Sequence, residues 1–483
     1  MAINPGDTGA TAWANGVNGT LAAFPAANLT GTVADARLPV TAQAATLAND
    51  YLARVSRTRH APALGLYFPE AEGCAADGVT DDTVNAQAAI LAAAGATLHI
   101  QRGTTLLLNG PLAVPSNTRI TGGGTLKLAA NTTAFALISA TTQNTITIED
   151  ITFDGNVTNQ TTWSQSRHCL QIIGSTGVTI RNCIFQNIIG DGIYVVSDGT
   201  TTPSNIDIDG NTFVGANTNR NGVTVITALD SRIRGNYLYK MGRDDMPGAI
   251  DLEPNATTDD IRNLAITGNT VIGGGTPGTQ HAVSINNSVG STCTNIVVAD
   301  NAIRDVFKYA ISVFGNSADR TKTQAVVSGN TLDVQVSLAG SAAIIASSWC
   351  GVSITGNVIN STADVGIKSV GSSFLVCGNK IKNSAIYGIE LLGGADEYGS
   401  IVDNQIEDCG TNAAASYGGL HIKASYIEIV GNRIYSSATT KTQTGLYIES
   451  GVKNFVHGNM FTGSLGVRSL STTTAPQAFG RNV

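Results

Sequence analysis

The feature that most constrains this chain is a turn that keeps returning. A Gly-Asn or Asp-Asn pair follows an apolar alternating run at Gly210-Asn211, Gly235-Asn236, Gly268-Asn269, Asp300-Asn301, Gly329-Asn330, Gly356-Asn357, Gly378-Asn379, Asp403-Asn404, Gly431-Asn432 and Gly458-Asn459, and Arg181-Asn182 begins the series. The steps between successive Asn residues are 29, 25, 33, 32, 29, 27, 22, 25, 28 and 27. A rigid helical repeat would not tolerate such drift. A β-helix does, because its strands stay in register while the loops between them vary. Asn and Gly suit the corners because both tolerate left-handed backbone angles. Asn side chains can also hydrogen-bond from rung to rung, as in cross-β ladders.

Each corner leads into a short strand such as Thr212-Phe213-Val214. A second motif, small-Gly/Ala-apolar-x-apolar, comes next: Asp191-Gly192-Ile193-Tyr194-Val195, Gly248-Ala249-Ile250-Asp251-Leu252 and Tyr387-Gly388-Ile389-Glu390-Leu391 are examples. Period-two alternation puts Ile389 and Leu391 inside and Glu390 outside. Ten intervals of about 4.8 Å give a column of roughly 48 Å. The expected fold is all-β: one right-handed parallel β-helix over 61–470. Asp77-Gly78-Val79-Thr80-Asp81-Asp82-Thr83 reads as a turn feeding a helix near 82–94, with Asp81 or Asp82 as its N-cap. A solenoid needs its apolar end covered, and this helix would cover it. Residues 1–60 read as a separate segment and linker with one short helix near 42–55, and 471–483 as a short tail.

Composition agrees: 54 Gly and only 13% charged residues favour strands with tight turns over helices. The net charge of −7 comes without a basic stripe, which argues against nucleic acid. It favours neutral or weakly charged glycans as partners, or else a local basic pocket. No run of 18 apolar residues exists to enter a membrane. Met1 to Gly19 has neither the basic nor the apolar region of a secretory signal, so a protein acting outside the cell would need another way out, of which lysis is one. The seven cysteines are odd in number and lack CxxC spacing, so they read as reduced core or turn residues. No zinc-like His/Cys spacing or EF-hand loop occurs, so neither metal nor cofactor is expected.

Stacking the second motif rung on rung gives an outward column of Tyr194, Thr224, Asp251, Ser284, Ser312, Ile345, Lys368, Glu390, His421 and Tyr447. The next outward column holds Val196, Ile226, Glu253, Asn286, Phe314 and Ser347. Asp251 and Glu253 therefore leave one strand on the same face, with Cα atoms about 6.6 Å apart. Glycoside hydrolysis uses two carboxyl groups, about 5 Å apart for retention and about 6.5–9.5 Å for inversion, and this spacing permits either. Crowding also splits the pair into one acid and one base. Outward acidic pairs are ordinarily plain solvated surface. Here the preceding loop adds Arg243, Asp244 and Asp245 and the following rung adds His281 and Asn286. The candidate catalytic set is Asp251 and Glu253, with Asp244 or Asp245. Arg243, His281 and Asn286 are candidate substrate contacts, with Tyr194 two rungs away lining the groove. Trp163, in the long insertion from Val157 to His168, could stack on a sugar ring. His421-Ile422-Lys423 is superficially similar to the Arg-Ile-Lys of polygalacturonases, but it lies about six rungs, roughly 29 Å, from Asp251.

The Asp-Gly-Val-Thr-Asp-Asp-Thr segment at 77–83, its helix and the Gly-Asn rungs resemble the pectate-lyase-like β-helix superfamily, especially its phage tailspike branch. Ala27-Asn28-Leu29-Thr30-Gly31-Thr32-Val33-Ala34-Asp35-Ala36-Arg37-Leu38-Pro39 is similar to a segment common in phage tail fibre and tailspike N-termini. The run Asp251-Leu252-Glu253-Pro254-Asn255 resembles segments of phage β-helix depolymerases. The resemblance implies a homotrimer on a virion, attached through its N-terminus to a baseplate or tail protein. It also implies synthesis in the host cytoplasm and action on a bacterial surface polysaccharide (capsule, exopolysaccharide or O-antigen). The outward Ile345 and Phe314 would then mark an inter-subunit face. One departure is that little chain follows the last rung. Because this fold hosts several chemistries, three functions stay open. They are a glycoside hydrolase; a polysaccharide lyase drawing on His281, Tyr194, Tyr309, Arg243 or Lys368; and a non-catalytic receptor-binding spike.

Overall fold

A computed structural model describes residues 60–479 apart from short stretches, the longest being 243–247, 274–280, 335–339, 394–397, 411–417, 438–443 and 470–477. The N-terminal segment, Arg243, Asp244 and Asp245 lie outside the described residues.

Each repeat contributes one strand to each of three sheets. In one turn, Ser204–Asp209 belongs to sheet A, Thr212–Val214 to sheet B and Val223–Val225 to sheet C. Every strand pairs in parallel with its equivalent one turn on, and the described sheets hold 16, 15 and 14 strands. The chain is thus a parallel β-helix whose inward side chains fill one continuous core. Phe153, Phe185 and Phe213 stack inside sheet B with centroids 4.7 and 4.6 Å apart. The small residue of the second motif has a steric reason. A Cβ on Gly192 would come within 2.8 Å of the Phe213 ring and 2.6 Å of the Gly222 carbonyl oxygen.

The corner between sheets A and B explains the repeat. The residue before each Asn is left-handed, with φ of 64° at Gly210, 56° at Asp300 and 53° at Asp403. The Asn behind it is buried and bonds both ways along the axis. Asn330 Nδ2 donates to Val298 O and Asn357 Oδ1, each at 2.9 Å, while its Oδ1 accepts from Asn301 N at 3.0 Å and Asn301 Nδ2 at 2.9 Å. The ladder runs from Asn211 to Asn459. Asn182 is not its first member, a correction to the sequence reading. It takes the left-handed place, with φ of 53°, and Cys183 takes the ladder place, its N–H bonded to Asn211 Oδ1 at 2.9 Å. Asn330→Ala strips partners from the Asn301 amide groups and the Val298 carbonyl. It should cost roughly 2 kcal/mol, read as a lowered midpoint in thermal or denaturant unfolding.

Sheet C reproduces the outward column read from the sequence. Tyr194, Thr224, Asp251, Ser284 and Ser312 are successive register partners, followed by Ile345, Lys368, Glu390, His421 and Tyr447. Ile345 departs from its expected role. It is 6% exposed and packs with Tyr309, Ala342, Val365 and Tyr387, with Phe314 against them, in a small apolar cluster on the outer side of the sheet. The chain covers this patch itself, because neighbouring outward aromatic and aliphatic side chains fold over one another. Ile226, also expected outward, is buried at 2%.

The helix near the column's start spans Thr83–Ala92 and sends Ala86, Ala89 and Ile90 into the core. Asp82 is the N-cap residue by position, but its carboxylate turns back to Ala75 N at 2.7 Å. Asp81 instead accepts from Thr83 N at 3.0 Å. The seven cysteines are free, and burial is the main force raising the Cys74, Cys169, Cys183, Cys293 and Cys409 thiols. Among the described residues no helix is long and apolar enough to cross a membrane.

Candidate functional site

The chemistry gathers where successive turns enter sheet C. Asp191, then Arg220 and Asn221, then Gly248 occupy this corner on successive rungs, and the strand Gly248–Leu252 carries Asp251. The corner is stitched along the axis by Asn221 N bonding Asp191 Oδ1 and Gly248 N bonding Asn221 Oδ1, each at 3.0 Å. Backbone-anchored side chains of this kind hold polar groups where a turn alone would leave them free.

Arg220 is the hub. Its Nη1 lies 3.0 Å from Asp191 Oδ2 and 3.3 Å from Thr224 Oγ1, and its Nη2 contacts Glu253 Oε2. His168 Nδ1 approaches the same Asp191 oxygen at 3.3 Å, and its ring stacks on Tyr194 at 4.4 Å. Burial alone would favour loss of the Arg220 proton, but Asp191, Glu253 and Asp251 outweigh it and raise the guanidinium.

Asp251 stands on the outward column as expected, yet it is 0% exposed. Outward from the core is therefore not the same as toward solvent. Its Oδ2 meets Asn221 Nδ2 at 3.3 Å, while Oδ1 is buried without a hydrogen-bond partner. Burial first, then the Glu253 charge, push its carboxyl well above the usual range; Asp191 adds to this and Arg220 opposes it. Glu253 is the accessible member, its side chain 24% exposed. The pair is thus unequal: Asp251 is enclosed with its carboxyl pushed upward, and Glu253 is partly exposed and ion-paired with Arg220.

Tyr194 joins the cluster, with its phenol raised by burial first and then by Asp191. Asn286 follows Ile285, the register partner of Leu252, and so lies beside Glu253 one rung on. His281 pairs with Gly248 across the rungs, but its Nδ1 is taken by Ser312 Oγ at 2.9 Å and its ring packs against Tyr309. Burial, helped by Lys308, pushes its imidazole down to about 3. Trp163 is 38% exposed and donates its indole N–H to Ile189 O at 3.0 Å. That bond pins the insertion two residues before Asp191.

Sequence reasoning missed Arg220 altogether. The available signal was a single cation, Arg220, in the polar turn Asn219-Arg220-Asn221 directly ahead of an outward threonine. Elsewhere on the column, His421 lies between Glu390 Oε1 at 3.1 Å and Glu449 Oε2 at 2.9 Å, with Lys368 and Lys423 closing an ion-pair chain. A shallow concavity of about 620 Å³ lies on sheet A around Val326, Phe374 and Tyr398, away from either polar cluster. Among the described residues no group of three or more His, Cys, Asp and Glu side chains could hold a metal ion.

A family model described as the right handed beta helix region matches residues 136–359. In structure the chain is similar to PfbA, a surface adhesin of Streptococcus pneumoniae (TM-score 0.52, 16% identity, covering 78% of this chain and 93% of that one). It is similar to the pre-mature gene product 12 of bacteriophage phi29 (TM-score 0.54, 16% identity, 86% of this chain and 65% of that one). It is also similar to a tailspike protein of E. coli bacteriophage HK620 solved in complex with pentasaccharide (TM-score 0.54, 14% identity, 83% and 75%). At such identities the likeness is one of fold: a right-handed parallel β-helix. No curated protein matches the sequence.

Proposed function

We propose that this chain is a phage tailspike depolymerase that hydrolyses glycosidic bonds of a bacterial surface polysaccharide at the Asp251–Glu253 pair. The observation that carries the reading is the unequal pair itself, with Asp251 driven toward its neutral form by burial and Glu253 partly exposed beside it. In this mechanism Asp251 gives its proton to the glycosidic oxygen. Glu253 takes a proton from the water that attacks the anomeric carbon, and the two chain ends separate as alcohol and hemiacetal. The fold shared with a tailspike crystallised with a pentasaccharide supports a glycan as the ligand. Attachment to a virion through 1–60 and assembly as a trimer belong to the same proposal.

One observation favours a second reading. Asp251 has no exposed surface and Glu253 is tied to Arg220, as in a spike that binds glycan without cutting it. The test is to incubate the protein with a panel of bacterial capsular and lipopolysaccharide preparations, following polymer size, reducing ends and the ultraviolet absorbance of unsaturated uronate. Shorter chains with new reducing ends and no absorbance are expected, and Glu253→Gln should lower that rate at least 100-fold, the scale of a lost general base. Absorbance would replace hydrolysis by elimination. Binding without shortening would select the non-catalytic spike.

A further inference from the structure

Among the described residues, three carboxyl groups, those of Asp191, Asp251 and Glu253, share this corner with one guanidinium, that of Arg220. Arg220 Nη1 is spent on Asp191 and Nη2 on Glu253, and no contact runs from Arg220 to Asp251. Its Nε is buried and unpartnered, as is Asp251 Oδ1. Asp191 is 0% exposed and accepts from the Asn221 backbone N–H as well as from Arg220. Two oxygens facing donors suit a charged carboxylate. Asp251 has a single amide donor, at 3.3 Å, with the Ser284 hydroxyl beside it as a weaker one. A fully enclosed carboxylate with one bare oxygen would carry a desolvation penalty of several kcal/mol that a neutral carboxyl avoids.

We propose that Arg220 is the positioning residue of this site: by bridging Asp191 and Glu253 it keeps both charged and leaves the cluster's remaining proton on Asp251. Asn221 completes the arrangement. Its backbone N–H serves Asp191, its amide Nδ2 meets Thr224 Oγ1 at 2.9 Å as well as Asp251, and its Oδ1 holds Gly248 N. The turn carrying Arg220 therefore also fixes the strand carrying Asp251. Arg220 acts through the carboxylates it holds, deciding which carboxyl is acid and which is base. A lysine could not do this equally well, because an ammonium lacks the planar fork that reaches two carboxylates at once.

The inference rests on the reading of Asp251 and Glu253 as an acid–base pair, but its first test does not need turnover. Infrared spectra at neutral pH are compared for the wild type, Asp251→Asn, Arg220→Lys and Arg220→Gln, at low temperature with folding checked by circular dichroism. The wild type should show a protonated-carboxyl band that Asp251→Asn removes. Arg220→Gln should add a second such band, and Arg220→Lys should add less. In cleavage assays Arg220→Gln should move the acidic limb of the pH–rate profile upward by about one unit or more, since a base deprived of its cation holds its proton to higher pH. A wild-type spectrum without an Asp251-dependent band, or an Arg220→Gln spectrum equal to the wild type, overturns the proposal. The expected bands with no cleavage of any glycan would leave Arg220 in this role and reject hydrolysis alone.

Discussion

Arg220→Met should melt well below the wild type, with a loss on the order of 3–5 kcal/mol, the usual result of removing one partner from a buried ion pair. The wild-type side chain is 12% exposed, and Asp191, one of its two carboxylate partners, is fully enclosed. Methionine fills similar space but leaves Asp191 with only the Asn221 N–H and the His168 contact. The damage should be local at first, because each solenoid turn depends mainly on its neighbours. Hydrogen exchange should quicken in Ile193–Val196, Val223–Val225 and Gly248–Leu252 before it does in distant rungs. The deficit should narrow as pH falls, since protonating the stranded acids removes their uncompensated charge. A melting midpoint within a degree of the wild type would mean that the bridge contributes nothing to stability.

The opposite sign is expected one rung away. Asp251→Asn should stabilise the fold at neutral pH, while lowering cleavage 100-fold or more, the scale of a lost general acid. The folded state raises the Asp251 carboxyl above its ordinary value of 3.8. It therefore holds a proton that the unfolded chain releases, and stability falls as pH rises from near 3.8 toward the folded value. Asparagine keeps the shape without that titration. The gap between variant and wild type should accordingly be small at pH 3 and widen above about pH 4. A variant less stable than the wild type at pH 7 would show that Asp251 is held as a useful charge. Unchanged cleavage would remove it from the chemistry. Together the two substitutions separate a group that holds the site together from one that the fold carries at a cost, as catalytic groups often are.

What the sequence determined was the lattice. Alternation decides inside from outside, and the small residue of the second motif marks where each turn enters sheet C. Simple stacking of that motif was therefore enough to align Tyr194, Asp251, Glu390 and Tyr447, which the ladders then paired in the same order. Asn182 misled because Asn suits both corner places. Only the ladder bonds distinguish the left-handed position from the buried one behind it, which Cys183 occupies. Burial and partnership were decided by tertiary structure alone. The β-period says that Asp251 leaves the core, not what lies over it. Arg220 sits in a turn, where no period directs a side chain, and its partners are 29 residues back and 33 residues ahead. Winding the chain into turns of unequal length makes those separations into neighbouring rungs. The pairing of charges therefore depends on the summed loop lengths and on the fold of each corner, which no local pattern encodes.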